Sequence, residues 1–189
     1  MNHRYLQKFQ IKDVVFLAIM SAVALATCAV MPLVISLQPL IFGISQLVTA
    51  LQIGVFFAIG LYKVRKPGSL LLMALMMGLI QLMMSPPMFL SSVLNGVLIE
   101  LIVLLLFRGY EKDAAVFVAA MLHTPLSLPF NYLYNRLVKG ADCPLAAVAD
   151  RAPLAAVGMT LAVVAVSVLG ALIGIKIARE LKKSGVLKK

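Results

Sequence analysis

The chain has 189 residues, of which 62% are hydrophobic and 13% are charged, and its mean hydropathy is +1.04. Soluble domains contain about half apolar and about a quarter charged residues, so this composition excludes an ordinary soluble protein and predicts one all-α domain embedded in a membrane. The net charge is +10, from 17 Lys and Arg against 7 Asp and Glu, but no basic patch is interleaved with aromatic residues, which argues against nucleic-acid binding.

The first apolar run is predicted to span residues 13–31 and follows a basic N-terminal segment. A basic lead before an apolar run resembles a secretory signal peptide, but this run is long for one and no small-residue cleavage site ends it. The sequence LATC at 25–28 approaches a lipoprotein box, although Thr27 stands where a smaller residue is expected. We therefore predict an uncleaved first membrane span.

The same run carries alanines at a strict spacing of four, namely Ala18, Ala22 and Ala26. Residues four apart share one helix face, so the three form a smooth strip, which we call the alanine strip. Small residues at this spacing allow membrane helices to approach closely. The alanine strip either packs inside the bundle of this chain or docks another membrane protein, and the sequence leaves both open.

Apolar runs separated by charges, Gly and Pro predict further spans at about 40–62, 69–84, 88–108, 114–137 and 154–177. Six spans divide the 17 basic residues into 14 on the side of both termini and 3 on the other side, which are Arg136, Lys139 and Arg151. Because cytoplasmic segments carry the excess of Lys and Arg, we predict that both termini are cytoplasmic and that the chain lies in the cell membrane.

Polar side chains inside the predicted spans are concentrated in the outer half of the bundle, whereas the inner halves are aliphatic and aromatic. Polar groups in hydrocarbon are costly and usually face the protein interior or a wet cavity. This asymmetry predicts a small-molecule cavity open to the outside above a sealed apolar floor, with hydrogen bonding between helices as the alternative. The predicted binding residues are Gln46, Gln52, Gln81, Asn95, Glu100, His123, Asn131, Tyr134 and Asn135.

The fifth predicted helix contains the most informative stretch, HTPLSLPFNYLYNRL at 123–137. Pro125 and Pro129 each remove a backbone donor, so we expect the helix to kink or unwind near mid-membrane. A broken helix beside polar residues is a common way to build a binding site, although a proline kink can also merely shape the bundle. Were the helix continuous, the polar residues that recur every four positions from His123 to Asn135 would form a slowly turning stripe.

Glu100 is the only acidic residue deep inside a predicted span, and such a carboxylate is a functional candidate by default. It could bind a ligand, be structural, or act with His123 as the acid and base of a small membrane enzyme. The chain has no P-loop, no H-E-x-x-H, no G-x-S-x-G and no metal-ligand spacing, so we expect no ATP hydrolysis, no metal and no cofactor. A structural membrane subunit without a ligand is the third alternative.

Three features near the predicted mouth of the cavity remain open at the sequence level. Cys28 and Cys143 are expected to be free thiols, with a disulfide between them as the alternative. The apolar segment 31–39, which lies between prolines, is a candidate lid or simply the frayed ends of two helices. The basic residues of the loop after the fifth span could attract an anionic substrate or be merely solvated.

The whole chain resembles the substrate-binding S components of energy-coupling factor (ECF) transporters. The resemblance rests on the length, the basic lead KFQIKD at 8–13, the stretch AIMSAVALA at 18–26 and the outward polar cluster. The segment 64–87 is also similar to the corresponding region of the YkoE-type subgroup, which is associated with thiamine or its hydroxymethylpyrimidine precursor. Where that subgroup tends to have acidic residues, this chain has Gln81.

The resemblance implies a non-catalytic transporter subunit with six spans and cytoplasmic termini. The alanine strip would contact a transmembrane coupling protein, and two cytoplasmic ATPases would complete the complex. The substrate would be a vitamin or a cofactor precursor, captured from outside and delivered when the S component reorients within the membrane.

Overall fold

The structure, a computed structural model, describes residues 8–28, 33–34, 36–83, 85–140 and 143–186, apart from the side chain at position 145. Seven α-helices account for most of these described residues. They are α1 Ile11–Ala26, α2 Ile44–Lys63, α3 Ser69–Leu82, α4 Pro86–Phe107, α5 Asp113–Val138, α6 Pro144–Arg151 and α7 Pro153–Lys183. The predicted all-α class is therefore confirmed.

Four of these helices, α2, α4, α5 and α7, are long and apolar enough to cross a membrane by length and composition. Helix α3 has 14 residues and α1 has 16. At 1.5 Å per residue, 14 residues reach only about 21 Å, less than the hydrocarbon thickness of about 30 Å. The four long helices agree with the predicted spans, while the total of six spans stays a prediction.

Two details of the helices differ from the sequence-based expectation. Residues 144–151 form α6, where we expected a loop. The helix begins at Pro144, whose fixed φ and missing N–H suit the first helical turn, and Ala146 and Ala149 are its buried residues. The second difference is that α5 is not broken.

Helix α5 runs continuously for 26 residues through Pro125 and Pro129. The two prolines remove the helical hydrogen bonds to the carbonyls of Met121 and Pro125, and side-chain donors bond to carbonyls between these two positions. The Ser127 hydroxyl donates to the carbonyl of Thr124 at 2.6 Å, and the Asn95 Nδ2 group donates to the carbonyl of His123 at 3.4 Å. The expectation of an unwound segment is therefore wrong.

The helices form a closed ring in the order α1, α3, α4, α5, α7, α2, and α2 also contacts α5 across the middle. Helices α2 and α7 approach each other closely. A Cβ atom built on Gly170 would lie 2.7 Å from the Leu51 carbonyl oxygen, and one on Gly174 would lie 2.6 Å from that of Val55. The G-x-x-x-G spacing of these glycines is a motif for close helix packing in membranes.

Ion pairs join several helix ends at one end of the bundle, which we call the charged end. Asp13 at the start of α1 pairs with Lys66 at 2.6 Å. Asp113 at the start of α5 pairs with Arg65 at 2.5 Å and with Arg179 near the end of α7 at 2.7 Å. Both ends of the described chain therefore lie at the charged end, and which side of a membrane it faces stays a prediction.

Candidate functional site

A cavity of about 660 Å³ lies at the opposite end of the bundle, the cavity end. Small-molecule sites usually measure about 300–1,000 Å³, so this cavity has the size of a binding site. Helices α1 to α5 all contribute to its lining, whereas α7 contributes none of the described residues that line it. The lining residues farthest from the cavity end on each helix are Ala22, Ile53, Met77, Asn95 and His123.

Most of the predicted binding residues do line this cavity. The seven that do are Gln46, Gln81, Asn95, His123, Asn131, Tyr134 and Asn135. Gln52 and Glu100 are not among the described residues that line it. They contribute nothing direct to the cavity wall.

Three polar residues, Asn95, His123 and Thr124, form the inner limit of the cavity, and we call them the polar floor. Each side chain is at most 3% exposed. In the described part of the chain, seven buried side-chain nitrogen and oxygen atoms have no hydrogen-bond partner, and four of them belong to the polar floor. An unpaired buried polar atom costs about 1–3 kcal/mol, so this concentration points to a place where a ligand supplies the partners.

The polar floor corrects one expectation, because the sequence predicted an apolar floor. Aromatic packing begins immediately behind it, with the Phe57 ring 4.5 Å from the His123 ring, centroid to centroid, at an angle of 60°. Neither ring nitrogen of His123 has a hydrogen-bond partner among the described residues. The imidazole thus packs against Phe57, and its residue belongs to the cavity lining while both ring nitrogens are unpaired.

Helix α5 supplies the largest polar share of the wall. Because α5 is continuous, the predicted stripe of residues four apart forms a line from the polar floor to the mouth, consisting of His123, Ser127, Asn131 and Asn135. Asn135 Nδ2 donates to the Asn131 carbonyl and to Asn131 Oδ1, both at 2.7 Å. These bonds hold both amides in fixed orientations at the mouth.

Glu100 is bonded through its carboxylate to protein donors and does not line the cavity, whereas a ligand-binding group would face the cavity. Its carboxylate accepts hydrogen bonds from the N–H of Gly68 at 2.6 Å, the N–H of Leu71 at 3.4 Å and the Tyr110 hydroxyl at 2.9 Å. A carboxylate at a helix N-terminus satisfies unpaired N–H groups and the positive end of the helix dipole. Burial and the adjacent Glu100 carboxylate raise the pKa of Tyr110 above its ordinary value, so the phenol stays a donor.

This arrangement bears on the proposed acid–base pair of Glu100 and His123. The carboxylate is directed to the start of α3, whereas the imidazole faces the cavity, and no hydrogen bond between them is found in the described residues. The structure therefore does not bring the two groups together. The described residues also contain no group of three or more His, Cys, Asp or Glu side chains that could hold a metal ion.

The sequence-based list of binding residues omitted several polar residues that line the cavity, among them Gln38, Ser45 and Thr124. Gln38 Nε2 donates to Ser45 Oγ at 2.6 Å, and Ser45 Oγ donates to Gln46 Oε1 at 2.8 Å, so the segment before α2 is tied to the cavity wall. Helical spacing could have found Ser45, which lies one turn from Thr49. Part of the predicted lid, residues 31, 32 and 35, lies outside the described residues, and the lid stays a prediction.

The alanine strip is exposed only in its second half, where it borders the cavity. Ala18 is half-buried, whereas Ala22 and Ala26 are exposed and also line the cavity. Helix α1 packs on α2 and α3, and its Ser21 hydroxyl donates to the Met73 carbonyl at 3.1 Å. Packing within the bundle therefore does not explain Ala22 and Ala26, and docking to a partner stays a prediction.

Both cysteines are free thiols in the structure. Cys28 is buried at the cavity wall and donates to the Ala24 carbonyl at 3.2 Å. Cys143 lies 3.6 Å from Asn135 Oδ1 at the start of α6.

The family comparison is consistent with the apolar helices. A family model described as a hypothetical bacterial integral membrane protein (Trep_Strep) matches residues 11–183. The chain belongs to this family.

Trep_Strep membership makes the chain an integral membrane protein and covers every helix described above. The family description gives no activity, so the function must be argued from the site. No curated protein and no solved structure matches this Trep_Strep chain.

Proposed function

We propose that this protein is the substrate-binding S component of an ECF-type importer in the cell membrane, with both termini in the cytoplasm. It would capture a small molecule from outside and pass it to a transmembrane coupling protein driven by two cytoplasmic ATPases. The protein would not be an enzyme. The observation that carries the proposal is the cavity of about 660 Å³ whose polar floor has unpartnered hydrogen-bonding atoms.

The distribution of charge supports the proposed orientation. Of the 17 basic residues, only Arg136, Lys139 and Arg151 belong to the predicted outer side. Segments rich in Lys and Arg stay in the cytoplasm, so the charged end would face inward and the cavity would open outward. That is the geometry that capture from outside requires.

The outer surface supports a subunit that works next to lipid and a membrane partner. Exposed side chains along α4 and α7 are large and apolar, and examples are Leu98, Leu105, Leu161 and Leu172. On α1 the exposed residues include the large Val15 and Ile19 together with the small Ala22 and Ala26, which border the cavity. Small residues let a second helix approach closely, which is what docking to a coupling protein would use.

The test is purification of the tagged protein from its native membranes in mild detergent. We expect a large membrane protein and two ATPase chains to co-purify with the wild type. The variant Ala18→Leu should lower their recovery about tenfold, which corresponds to about 1.4 kcal/mol of lost binding. Ala18 is the residue to change because, unlike Ala22 and Ala26, it is not among the described residues that line the cavity.

The matched control is Gly158→Leu, also a small-to-large change on a membrane helix. A Cβ atom at Gly158 has no neighbour within 4 Å, so this variant should keep the ATPases. Recovery of the wild type without any ATPase would contradict the importer proposal. An equal loss of the ATPases in Ala18→Leu and Gly158→Leu would contradict the assignment of docking to the alanine strip.

A further inference from the structure

The charges around the cavity restrict the kind of molecule that it can hold. Among the described residues that line it, none is Asp or Glu, and the only Lys or Arg is Lys139. Uncharged Gln, Ser, Thr, Asn, His and Tyr side chains supply all other polar contacts. The wall can therefore neutralise a negative charge at one position and a positive charge at none of the described positions.

The acidic residues that are described near the bundle are engaged elsewhere. Glu100 bonds to the start of α3, and Asp13 and Asp113 pair with basic residues at the charged end. At the cavity end, Asp150 pairs with Arg136 and accepts the Tyr132 hydroxyl. Asp142 lies outside the described residues.

The polar floor therefore favours an uncharged group. A cation there would lose its hydration without gaining a carboxylate, which costs several kcal/mol. Asn95 Oδ1 is an acceptor, the Thr124 hydroxyl can donate and accept, and a neutral imidazole has one donor and one acceptor. The complementary ligand group has an N–H or O–H next to a carbonyl or ring nitrogen, as in a carboxamide, a lactam or an amino-substituted nitrogen heterocycle.

Lys139 defines the other end of the ligand. Its ammonium lies 5.9 Å from the centroid of the Tyr134 ring, and both side chains line the cavity. Ten helical residues separate Thr124 from Tyr134, which is an axial distance of about 15 Å. A ligand that reaches from the polar floor to Lys139 is therefore elongated, and the cavity volume of about 660 Å³ can hold it.

We infer that the cavity binds an elongated organic anion, with an uncharged hydrogen-bonding group on the polar floor and a carboxylate or phosphate about 10–15 Å away beside Lys139. This inference rests on the proposed function and narrows its substrate class. It excludes organic cations as substrates.

The experiment uses the detergent-purified full chain from cells grown in rich medium. The small molecules released by methanol are analysed by untargeted mass spectrometry in both ion modes. We expect a compound at about one per protein that carries an acidic group. Its occupancy should fall about tenfold in Asn95→Leu and in Thr124→Val, because each variant removes a ligand contact of about 1.4 kcal/mol or more.

Lys139 variants test the anionic end. Lys139→Gln should lower occupancy about tenfold, and Lys139→Arg should retain it because the positive charge is kept. Ser167→Ala is the matched control, since Ser167 is also a buried hydroxyl without a partner among the described residues but does not line the cavity. Elution as a single species by size-exclusion chromatography checks that each variant is folded.

The outcomes separate this inference from the proposed function. An acidic compound that is lost from Asn95→Leu, Thr124→Val and Lys139→Gln supports both the inference and the proposed function. A compound whose ionised group is an amine or quaternary ammonium, or one that Lys139→Gln retains fully, overturns the inference and leaves the binding function intact. If the wild type retains no compound in a larger amount than the Asn95→Leu variant does, the binding function itself is overturned.

Discussion

The Glu100 carboxylate accepts hydrogen bonds from the N–H groups of Gly68 and Leu71, at the first turn of α3. Gly68 has a positive φ of 89°, which a glycine adopts without strain, and this conformation directs its N–H into the bundle. Helix α3 is short, so its N-terminus and the glutamate meet inside the protein rather than in water. The residue that most resembled a ligand group is thus better explained as a helix cap.

We predict that Glu100→Gln lowers stability and leaves ligand retention unchanged. The amide keeps the shape, but it removes the charge that strengthens three hydrogen bonds and replaces one acceptor oxygen by a donor, which costs about 1–2 kcal/mol. The melting temperature in detergent should fall by about 5 °C. The compound retained by the purified protein, measured by mass spectrometry, should stay at the wild-type level at low temperature.

Tyr110→Phe is the matched control, because it removes one donor to the same carboxylate and keeps the ring. Its melting temperature should fall less than that of Glu100→Gln. A normal melting temperature together with loss of the retained compound in Glu100→Gln would instead make the carboxylate a ligand group.

At the scale of elements, the pair α2 and α7 determines how the bundle closes. Gly170 and Gly174 on α7 face the backbone of α2, and Gly54 on α2 would place a Cβ atom 3.2 Å from the Ala171 nitrogen. Small residues on both helices therefore permit contact between backbones. Because α7 lines none of the cavity among the described residues, it supports the lining helix α2 from outside.

We predict that Gly174→Leu separates these two helices and destabilises the bundle. A Cβ atom at this position would lie 2.6 Å from the Val55 carbonyl oxygen and 2.7 Å from the Ala58 Cβ. Overpacking of this kind costs about 3 kcal/mol or more. The measurement is the thermal unfolding curve in detergent, and we expect the midpoint to fall by about 10 °C or the yield to collapse.

Gly158→Leu on the same helix is the control and should unfold like the wild type, because nothing lies within 4 Å of its Cβ position. A normal midpoint for Gly174→Leu would show that α2 and α7 are not held as closely as described.

At the scale of the whole molecule, the two ends differ in chemistry. The charged end has a network in which Asp113 joins Arg65 to Arg179, whereas the described lining of the cavity consists of apolar and uncharged polar residues and one lysine. Charge asymmetry of this kind orients membrane proteins. In the proposed function it also separates the cytoplasmic ATP-driven machinery from the region for ligand capture.

We predict that green fluorescent protein fused after Lys189 is fluorescent in cells, while alkaline phosphatase fused there is inactive. Phosphatase inserted after Gly140, in the loop beyond α5, should be active. The physical reason is the excess of 14 basic residues against 3, which keeps the termini in the cytoplasm. The reverse activity pattern would contradict both the orientation and capture from outside.

The sequence by itself determined the class of the protein and the composition of its site. In lipid, the backbone polar groups of a long apolar run can be paired only within a helix. The spacing of four in the α5 polar stripe shows which face of that helix is polar, and this does not depend on the neighbouring helices. Asn95 and His123 could therefore be predicted as site residues from their depth and polarity. The same argument includes Glu100, because depth alone does not distinguish a ligand group from a cap.

Only the tertiary structure decided what each polar side chain meets. The capping of α3 by Glu100 joins residues 32 positions apart, and the G-x-x-x-G contact of α7 depends on carbonyls of α2, so neither follows from local pattern. Partners distant in sequence fixed these features, because a side chain's bonds depend on which helices become neighbours.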